Sequence, residues 1–452
     1  AKPFAALLPA DAQLIGPWVL LCLGLNALFA WALLRRHAPG PLALWTGVFF
    51  LALPPTLANR FIHTNLMAHW TILAALYLFL DPIRGRRPGW WIALIAVTAL
   101  IHSYLLIMVG AIWASALLRD LVRGGRTAAL PVLGQGAAVL ALVAVLAWWL
   151  GVGGGQQAAG NYGAFAMPID ALWNPANPGY GALLPAIPQR EGRGMEGFQY
   201  LGAGGLALMA LAAWAAWATP APNRQRAVLN RLRWLVPALV VLTLLAISNR
   251  PDFAGMKLPR LELPVAVTNA LDAVRASGRM FWPVGYTLML VALLAVYRRG
   301  ARAGLWLAAL LVLQVADLTG MASAVRSISA EAGQHRLYAR TLDPRWDRLV
   351  GQARDVAFMP GDVTRDLSLF QEIAWRAVKA GRPVTSVYAA RTPVATARRL
   401  AAEEAAFARG ALVPGRLYVL LPGASVPVAL AARVRRIDGI PVIPASTPPA
   451  AP

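Results

Sequence analysis

Arginine in the first two thirds of this chain comes mostly in short clusters, each set at the end of a long apolar run. The clusters are Arg35-Arg36; Arg84, Arg86 and Arg87; Arg119, Arg123 and Arg126; Arg224, Arg226, Arg231 and Arg233; and Arg298, Arg299 and Arg302. Basic residues that flank membrane spans gather on the cytoplasmic side, so these clusters constrain the topology directly. Of the 452 residues, 58% are hydrophobic and 14% charged. A soluble chain carries about 25% charged residues, so this one reads as bilayer-embedded. The net charge of +22 is then a matter of topology, and no nucleic-acid partner is expected. The single cysteine, Cys22, excludes an intrachain disulfide framework.

About ten spans are expected, near residues 14–34, 41–57, 66–80, two within 89–118, 128–150, 201–218, 234–247, 281–297 and 304–318. The segment from Gly89 to Leu118 decides the parity. As one helix its 30 residues would measure about 45 Å against a hydrocarbon core of about 30 Å, and every later cluster would fall on the outer side. Two short spans turning near His102-Ser103 bring all five clusters to the cytoplasm. The same parity puts the first residues outside. They carry neither an initiating Met nor a basic signal region, so an upstream span and its outer loop are expected to precede them.

Loops 151–200 and 249–280 and the region after about Met321 are likewise expected outside. The expected fold class is therefore an α-helical polytopic membrane protein, residues 1–320, followed by an extracytoplasmic α/β domain, residues 321–452. In that domain DVAFMP, PVTSVYAA, RLYVLLP and RVRRIDGIPVIPA read as strands, and LFQEIAWRAVKAG and ARRLAAEEAAFARG as helices. The alternation predicts a largely parallel sheet, with STPPAAP as a disordered tail.

Polar chemistry concentrates where arginine clusters are absent. Three of the five histidines, His63, His69 and His102, lie near the outer ends of the third to fifth spans. Ionisable residues at membrane depth are costly and face protein or water. In RFIHTNLMAHW, Arg60, His63, Asn65 and His69 offer a cation and hydrogen-bonding groups suited to a phosphate; interfacial anchoring is the plainer reading. A metal held by the three histidines lacks an accompanying carboxylate, and none is expected. In IHSYLL, His102, Ser103 and Tyr104 either satisfy a turn at membrane depth or face a substrate. In RASGRMFWP, Arg275 and Arg279 run against the positive-inside bias. They bind a lipid phosphate, or else pair with Asp272, Glu262 or Asp252. The loop 151–200 carries Tyr162, Asp170, Trp173, Asn174, Asn177, Tyr180, Glu196 and Tyr200, residue types that bind sugars or hold an irregular lid together. The carboxyl-terminal region holds no catalytic spacing, and Glu403-Glu404 reads as a solvated helix face.

The segments KPFAALLP, RFIHTNLMAHW, IHSYLLIMVGAIW, MEGFQYLGAGGL, RASGRMFWP and RLYVLL with RRIDGIPV resemble an uncharacterised family of bacterial multipass membrane proteins. That family is similar in architecture to the GT-C glycosyltransferases. The resemblance implies an inner-membrane enzyme that transfers a sugar from a polyprenyl-phosphate donor to a glycan or protein acceptor of the envelope at the periplasmic face. It also implies a catalytic acid in an outer loop upstream of KPFAALLP, without which the chain would be inactive. Glu196, Asp170, Asp252 and Glu262 stand as fallback acids. Arg60, Arg275 and Arg279 would hold the lipid phosphate, with His63, His69, His102 and Tyr104 positioning it. The resemblance fixes no cofactor, and a divalent cation stays open. The alternative functions are a lipid or polysaccharide transporter and a non-enzymatic accessory protein for envelope polysaccharide assembly.

Overall fold

The computed structural model describes residues 8, 12–151, 162–177, 179–334, 336–388 and 392–444. Most of KPFAALLP, the triple glycine of the long loop and the STPPAAP tail lie outside the described residues. The chain divides into two compact units, a helical one within Leu14–Ser329 and a smaller one from Ala330 onward.

The helical unit begins with α1 (Ile15–Leu34), α2 (Pro41–Ala52), the single turn α3 (Pro55–Ala58) and α4 (Trp70–Leu80). It continues through α5 (Pro88–Ile101), α6 (Ser103–Gly124) and α7 (Arg126–Trp149). After the long loop come the short α8 (Arg193–Glu196), then α9 (Ala203–Ala218), α10 (Asn223–Leu232) and α11 (Val236–Ile247). A two-strand ribbon, β1 (Asp252–Phe253) and β2 (Met256–Lys257), precedes α12 (Val265–Leu271), α13 (Trp282–Tyr297), α14 (Arg302–Asp317) and α15 (Thr319–Gly333). Proline opens α2 and α5 and sits in the first turn of α13, where its missing N–H would have had no intrahelical partner.

Four helical stretches are long and apolar enough to cross a membrane: Ile15–Leu34, Ser103–Gly124, Arg126–Trp149 and Ser277–Tyr297. The number rises to six if the bent pairs α9–α10 (119°) and α14–α15 (56°) each count as one span. The other expected spans fall on shorter apolar helices, among them Pro41–Ala52, Thr64–Leu80, Pro88–Ile101 and Val236–Ile247. Of the short helices α4 is buried along most of its length while α11 buries only Leu242 and Ala246, and α13 of the long Ser277–Tyr297 stretch is nearly enclosed. By contrast α7 buries only Val139 and exposes Leu130, Leu133, Leu140, Trp148 and Trp149. An apolar helix exposed all round is stable in lipid, not in water.

The structure brings the five arginine clusters to one end of this unit. Arg224 donates to Arg36 O at 2.7 Å, Arg119 to Phe79 O at 2.8 Å, and Arg231 to Leu80 O. Arg298 donates to Gln225 Oε1 at 3.0 Å, and Arg299 to Thr219 Oγ1 at 2.8 Å. Because α5 starts just after the end of α4 and α6 finishes beside that same end, α5 and α6 run out and back. His102 forms the break, in an extended conformation (φ −164°, ψ 133°). Its Nδ1 accepts the Tyr104 N–H at 3.1 Å and so caps α6. The break at His102 falls where parity placed a turn, but only α5 is short: α6, with 22 residues, is long enough to cross a membrane by itself.

The smaller unit contains α16 (Arg345–Gln352), β3 (Asp355–Met359), α17 (Leu367–Lys379), α18 (Val394–Ala408), β4 (Arg416–Leu420), the single turn α19 (Val428–Ala431), β5 (Arg435–Ile437) and β6 (Ile440–Ile443). Side chains alternate across the sheet. Val356 and Phe358 pack with Trp346 of α16 and Ile373 of α17, while Ala357 and Met359 pack with Phe407 of α18. The sheet order is β3-β4-β6-β5, and it is mixed, not largely parallel. Among the described strands β3 and β4 are parallel, and β4–β6 and β5–β6 are antiparallel. The expected closing strand is a hairpin because Asp438 and Gly439 both take positive φ, 48° and 74°. An Asp-Gly pair favours that tight turn. Of PVTSVYAA, residues 383–388 are described and form no named strand, Val384 making only an isolated parallel bridge to Val356; residues 389–391 lie outside the described residues.

The ends of the helical unit can be distinguished by labelling. Arg87 lies at the arginine-rich end and Glu191 in the long loop, and both are exposed, while Cys22 is buried. In a Cys22→Ser background, an impermeant maleimide is expected to reach Arg87→Cys and Glu191→Cys from opposite sides of the membrane. Labelling of both from one side contradicts the arrangement.

Candidate functional site

At the end of α13 away from Arg298, three separate loops converge on one carboxylate. The Pro54-Pro55 step ends α2 and starts α3, and Asn59 and Arg60 follow that turn. In the long loop, α8 presents Glu196 in its last position. The Ser277–Phe281 turn, which leads into α13, presents Arg279. Arg279 grips Glu196 with two donors, Nε to Oε2 at 2.7 Å and a terminal nitrogen to Oε1 at 2.6 Å. Arg60 donates to the same Oε2 at 2.7 Å and also to Met195 O. Asn59 Nδ2 donates to that carbonyl at 2.9 Å. The side chains of Arg60, Arg279 and Glu196 are 0%, 9% and 14% exposed.

Glycine permits this approach. A Cβ on Gly278 would stand 2.6 Å from Gly197 Cα and 2.9 Å from Glu196 O, so only a residue without one lets the two backbones touch. Gly278 N donates to Phe165 O at 3.1 Å, and its carbonyl accepts from Gln199 Nε2 at 2.8 Å.

The cluster carries two cations against one anion. Burial alone would raise the Glu196 carboxyl, but the Arg279 hydrogen bonds and the charges of Arg60 and Arg279 overcome this and hold it at about 2. Burial lowers the His63 pKa, and Arg60 and Arg279 act in the same direction against Glu196. Arg60 Nε and His63 Nδ1 are buried with no hydrogen-bond partner among the described residues.

The other expected site residues separate into two groups. His102 and Tyr104 lie beside the cluster: His102 feels the charges of Arg279 and Glu196, and the Arg279 guanidinium sits 4.9 Å from the Tyr104 ring centroid. Tyr104 Oη also accepts the Ala276 N–H at 2.9 Å, tying α6 to the turn that carries Arg279. His69 is fully buried in packing, its Nδ1 2.9 Å from Tyr286 Oη and its ring 4.1 Å from that of Trp282. Arg275 stacks over Phe165 at 5.6 Å. The ion pair that Arg279 makes is with Glu196, not with Asp272, Glu262 or Asp252.

The fallback acids other than Glu196 are engaged elsewhere. Asp252 is paired with the buried Arg193, which also donates to Gly163 O at 2.8 Å and Arg250 O at 2.6 Å. Asp170 accepts from Asn174, Gln189 and the Ala254 N–H at 2.6, 3.0 and 3.2 Å. Glu262 is 80% exposed beside Arg260. Asp317 at the end of α14 anchors the long loop, accepting from Leu183 N, Tyr200 Oη and Ala203 N at 3.0, 2.6 and 2.9 Å. Of the residues suited to sugars, Tyr162, Asp170, Asn174 and Tyr200 are therefore buried in the loop's own framework, and Trp173 is 43% exposed. Among the described residues no three histidine, cysteine or acidic side chains converge as metal ligands. Sequence reasoning missed Asn59, Gln199 and Asp317 as supports of this end. Each sits next to a motif it had singled out or closes a span, but none carries a signal of its long-range partner.

Helices of membrane-spanning length, a sidedness in arginine and a buried charged cluster at the opposite end define a polytopic helical membrane protein. A family model described as a domain of unknown function, DUF6311, matches residues 1–319, and that of the DUF6311 C-terminal domain matches residues 345–445; the chain belongs to this family. No curated protein and no solved structure matches it.

Removing Glu196 leaves two buried guanidiniums without their anion. Glu196→Ala is expected to lower stability by about 3 kcal/mol, read as a fall in melting temperature in detergent. A carboxyl held below its ordinary value stabilises fully above about pH 4.5 and loses that contribution as pH falls toward 2. The difference between wild type and Glu196→Gln should therefore be constant from pH 7 to 5 and shrink below it.

Proposed function

We propose that this protein is a GT-C-like glycosyltransferase of about ten spans in a bacterial inner membrane, taking its sugar from a polyprenyl-phosphate carrier at the periplasmic face. The observation that carries this reading is the excess positive charge of the Arg60–Glu196–Arg279 cluster at the end opposite the arginine-rich one. By the positive-inside bias that end is the outer one, where a carrier phosphate would lie at headgroup depth. The unpaired Arg60 Nε and His63 Nδ1 are polar groups that a phosphate oxygen would satisfy.

In the mechanism the carrier phosphate competes with Glu196 for Arg60 and Arg279. The arginines stabilise the negative charge that develops on the phosphate as its bond to the anomeric carbon breaks, the electron pair leaving with oxygen. The acceptor hydroxyl oxygen forms the new bond to that carbon, and its proton passes to a carboxylate. Glu196 is a poor base while both guanidiniums hold it, and a carboxylate released from them regains basicity. Displacement by the carrier would thus couple donor binding to activation of the base. An acid in an upstream outer loop would serve the same role with Glu196 as a positioning group.

A non-enzymatic accessory protein is the second reading. It is favoured by the completeness of the Arg279–Glu196 grip, which needs no ligand to be stable. A transporter is less well supported, since such folds break their helices near the bilayer midplane. Here the α9–α10 break lies by Thr219 among the arginine clusters, and the α14–α15 break by Asp317 at the other end.

The test is retention of polyprenyl phosphate by the full-length protein in native mass spectrometry. The wild type is expected to keep the phosphorylated carrier and not the matching polyprenol, and Arg60→Gln and Arg279→Gln to lose it. A wild type that retains no carrier overturns the transferase reading in favour of the accessory protein.

A further inference from the structure

A second charged site lies at the arginine-rich end, away from the cluster just described. A cavity of about 410 Å³ opens between the turn that joins α4 to α5 and the ends of α6, α7 and α10. Four guanidiniums line it, from Arg86, Arg119, Arg123 and Arg231, against two carboxylates, Asp81 and Asp120.

Both carboxylates are already occupied. Asp81 Oδ1 accepts the N–H groups of Ile83 and Arg84, each at 2.8 Å, and Oδ2 accepts the Arg84 guanidinium at 3.1 Å. Asp120 accepts from Arg119 Nε at 2.8 Å. Among the described residues Arg86, Arg123 and Arg231 form no ion pair; burial and the charges of Arg119, Arg123 and Arg86 all act against the charge of Arg231, with Asp81 opposing them. What holds two of the guanidiniums in place is backbone. The last turn of α4 leaves its final carbonyls without helical partners, and Arg119 and Arg231 donate to two of them, Phe79 O and Leu80 O. A guanidinium has five N–H donors, so this positioning leaves donors over for a ligand.

The surroundings suit an anion. Pro88 at the first position of α5 and Ala128 in the first turn of α7 border the cavity beside the carboxyl-terminal ends of α4, α6 and α10, so helix dipoles oppose one another there and the guanidiniums set its sign. Arg119 is 6% exposed, so its charge is screened little by solvent. Like charges gathered in a partly buried cavity repel one another, and a bound anion relieves that repulsion.

We propose that this cavity binds a phosphate group at the arginine-rich face, carried either by an anionic membrane lipid or by a soluble phosphate compound. Basic pockets between spans on the cytoplasmic side commonly take lipid headgroups, and Leu117, Pro131 and Val132 supply an apolar wall.

The experiment titrates the purified full-length protein with phosphatidylglycerol, phosphatidylcholine and inorganic pyrophosphate, read by native mass spectrometry. Arg86 and Arg123 are exposed, so Arg86→Gln/Arg123→Gln should fold. Arg126→Gln/Arg302→Gln removes two exposed charges from the same end outside the cavity. Phosphatidylglycerol should bind in preference to phosphatidylcholine, and the cavity pair should weaken it about tenfold, a difference of about 1.4 kcal/mol, with little change in the control pair. Displacement of the lipid by pyrophosphate, or pyrophosphate binding alone with the same variant pattern, assigns the site to a soluble phosphate compound. Equal weakening by both pairs, or binding of neither anion, overturns the proposal.

Discussion

Two arginines sharing one buried carboxylate hold together the end of the helical unit opposite the arginine clusters. Glu196 is 136 residues from Arg60 and 83 from Arg279, so this single side chain fixes the long loop against the α2–α4 connection and against the entry to α13. Breaking one partner of such a group is costly because the remaining charges stay out of water. The surrounding contacts follow from it. Gly278 lies against Gly197, Tyr104 receives the Ala276 N–H, and His63 and His102 lie beside a site whose net charge is positive.

The two ends of the unit handle arginine differently. At the arginine-rich end guanidiniums cap helix carbonyls and leave much of their charge uncompensated. At the other, they are enclosed and neutralised in part by Glu196. The first arrangement is what the positive-inside bias produces. The second runs against it and requires a partner, which is why the arginines outside the clusters deserve a functional explanation.

Much of this was legible in the sequence because parity and apolar length are local quantities. The clusters predicted which helix ends gather, and the excess length of residues 89–118 required a break that the structure places at His102. In the smaller unit, apolar runs located β3, β4, α17 and α18. The misses are long-range or come from turn chemistry. The alternation of strands and helices suggested a parallel sheet, but Asp438-Gly439 folds the last strand back into a hairpin and makes the sheet mixed. Sequence proximity offers Arg279 the acids Asp272, Glu262 and Asp252, but its ion pair is with distant Glu196. Nothing in MEGFQYLG states that its glutamate meets RASGRMF. Only the glycines beside each residue, Gly197 and Gly278, hint that two backbones touch there.

The most direct test of this account is a double-mutant cycle between Glu196→Gln and Arg279→Gln, with unfolding of the purified protein as the readout. Residues that share a buried contact couple by about 0.5–3 kcal/mol. The account predicts coupling in the upper half of that range, with the double variant more stable than the sum of the single losses implies. Additive losses would contradict it, and would mean that this end of the helical unit does not depend on the ion pair.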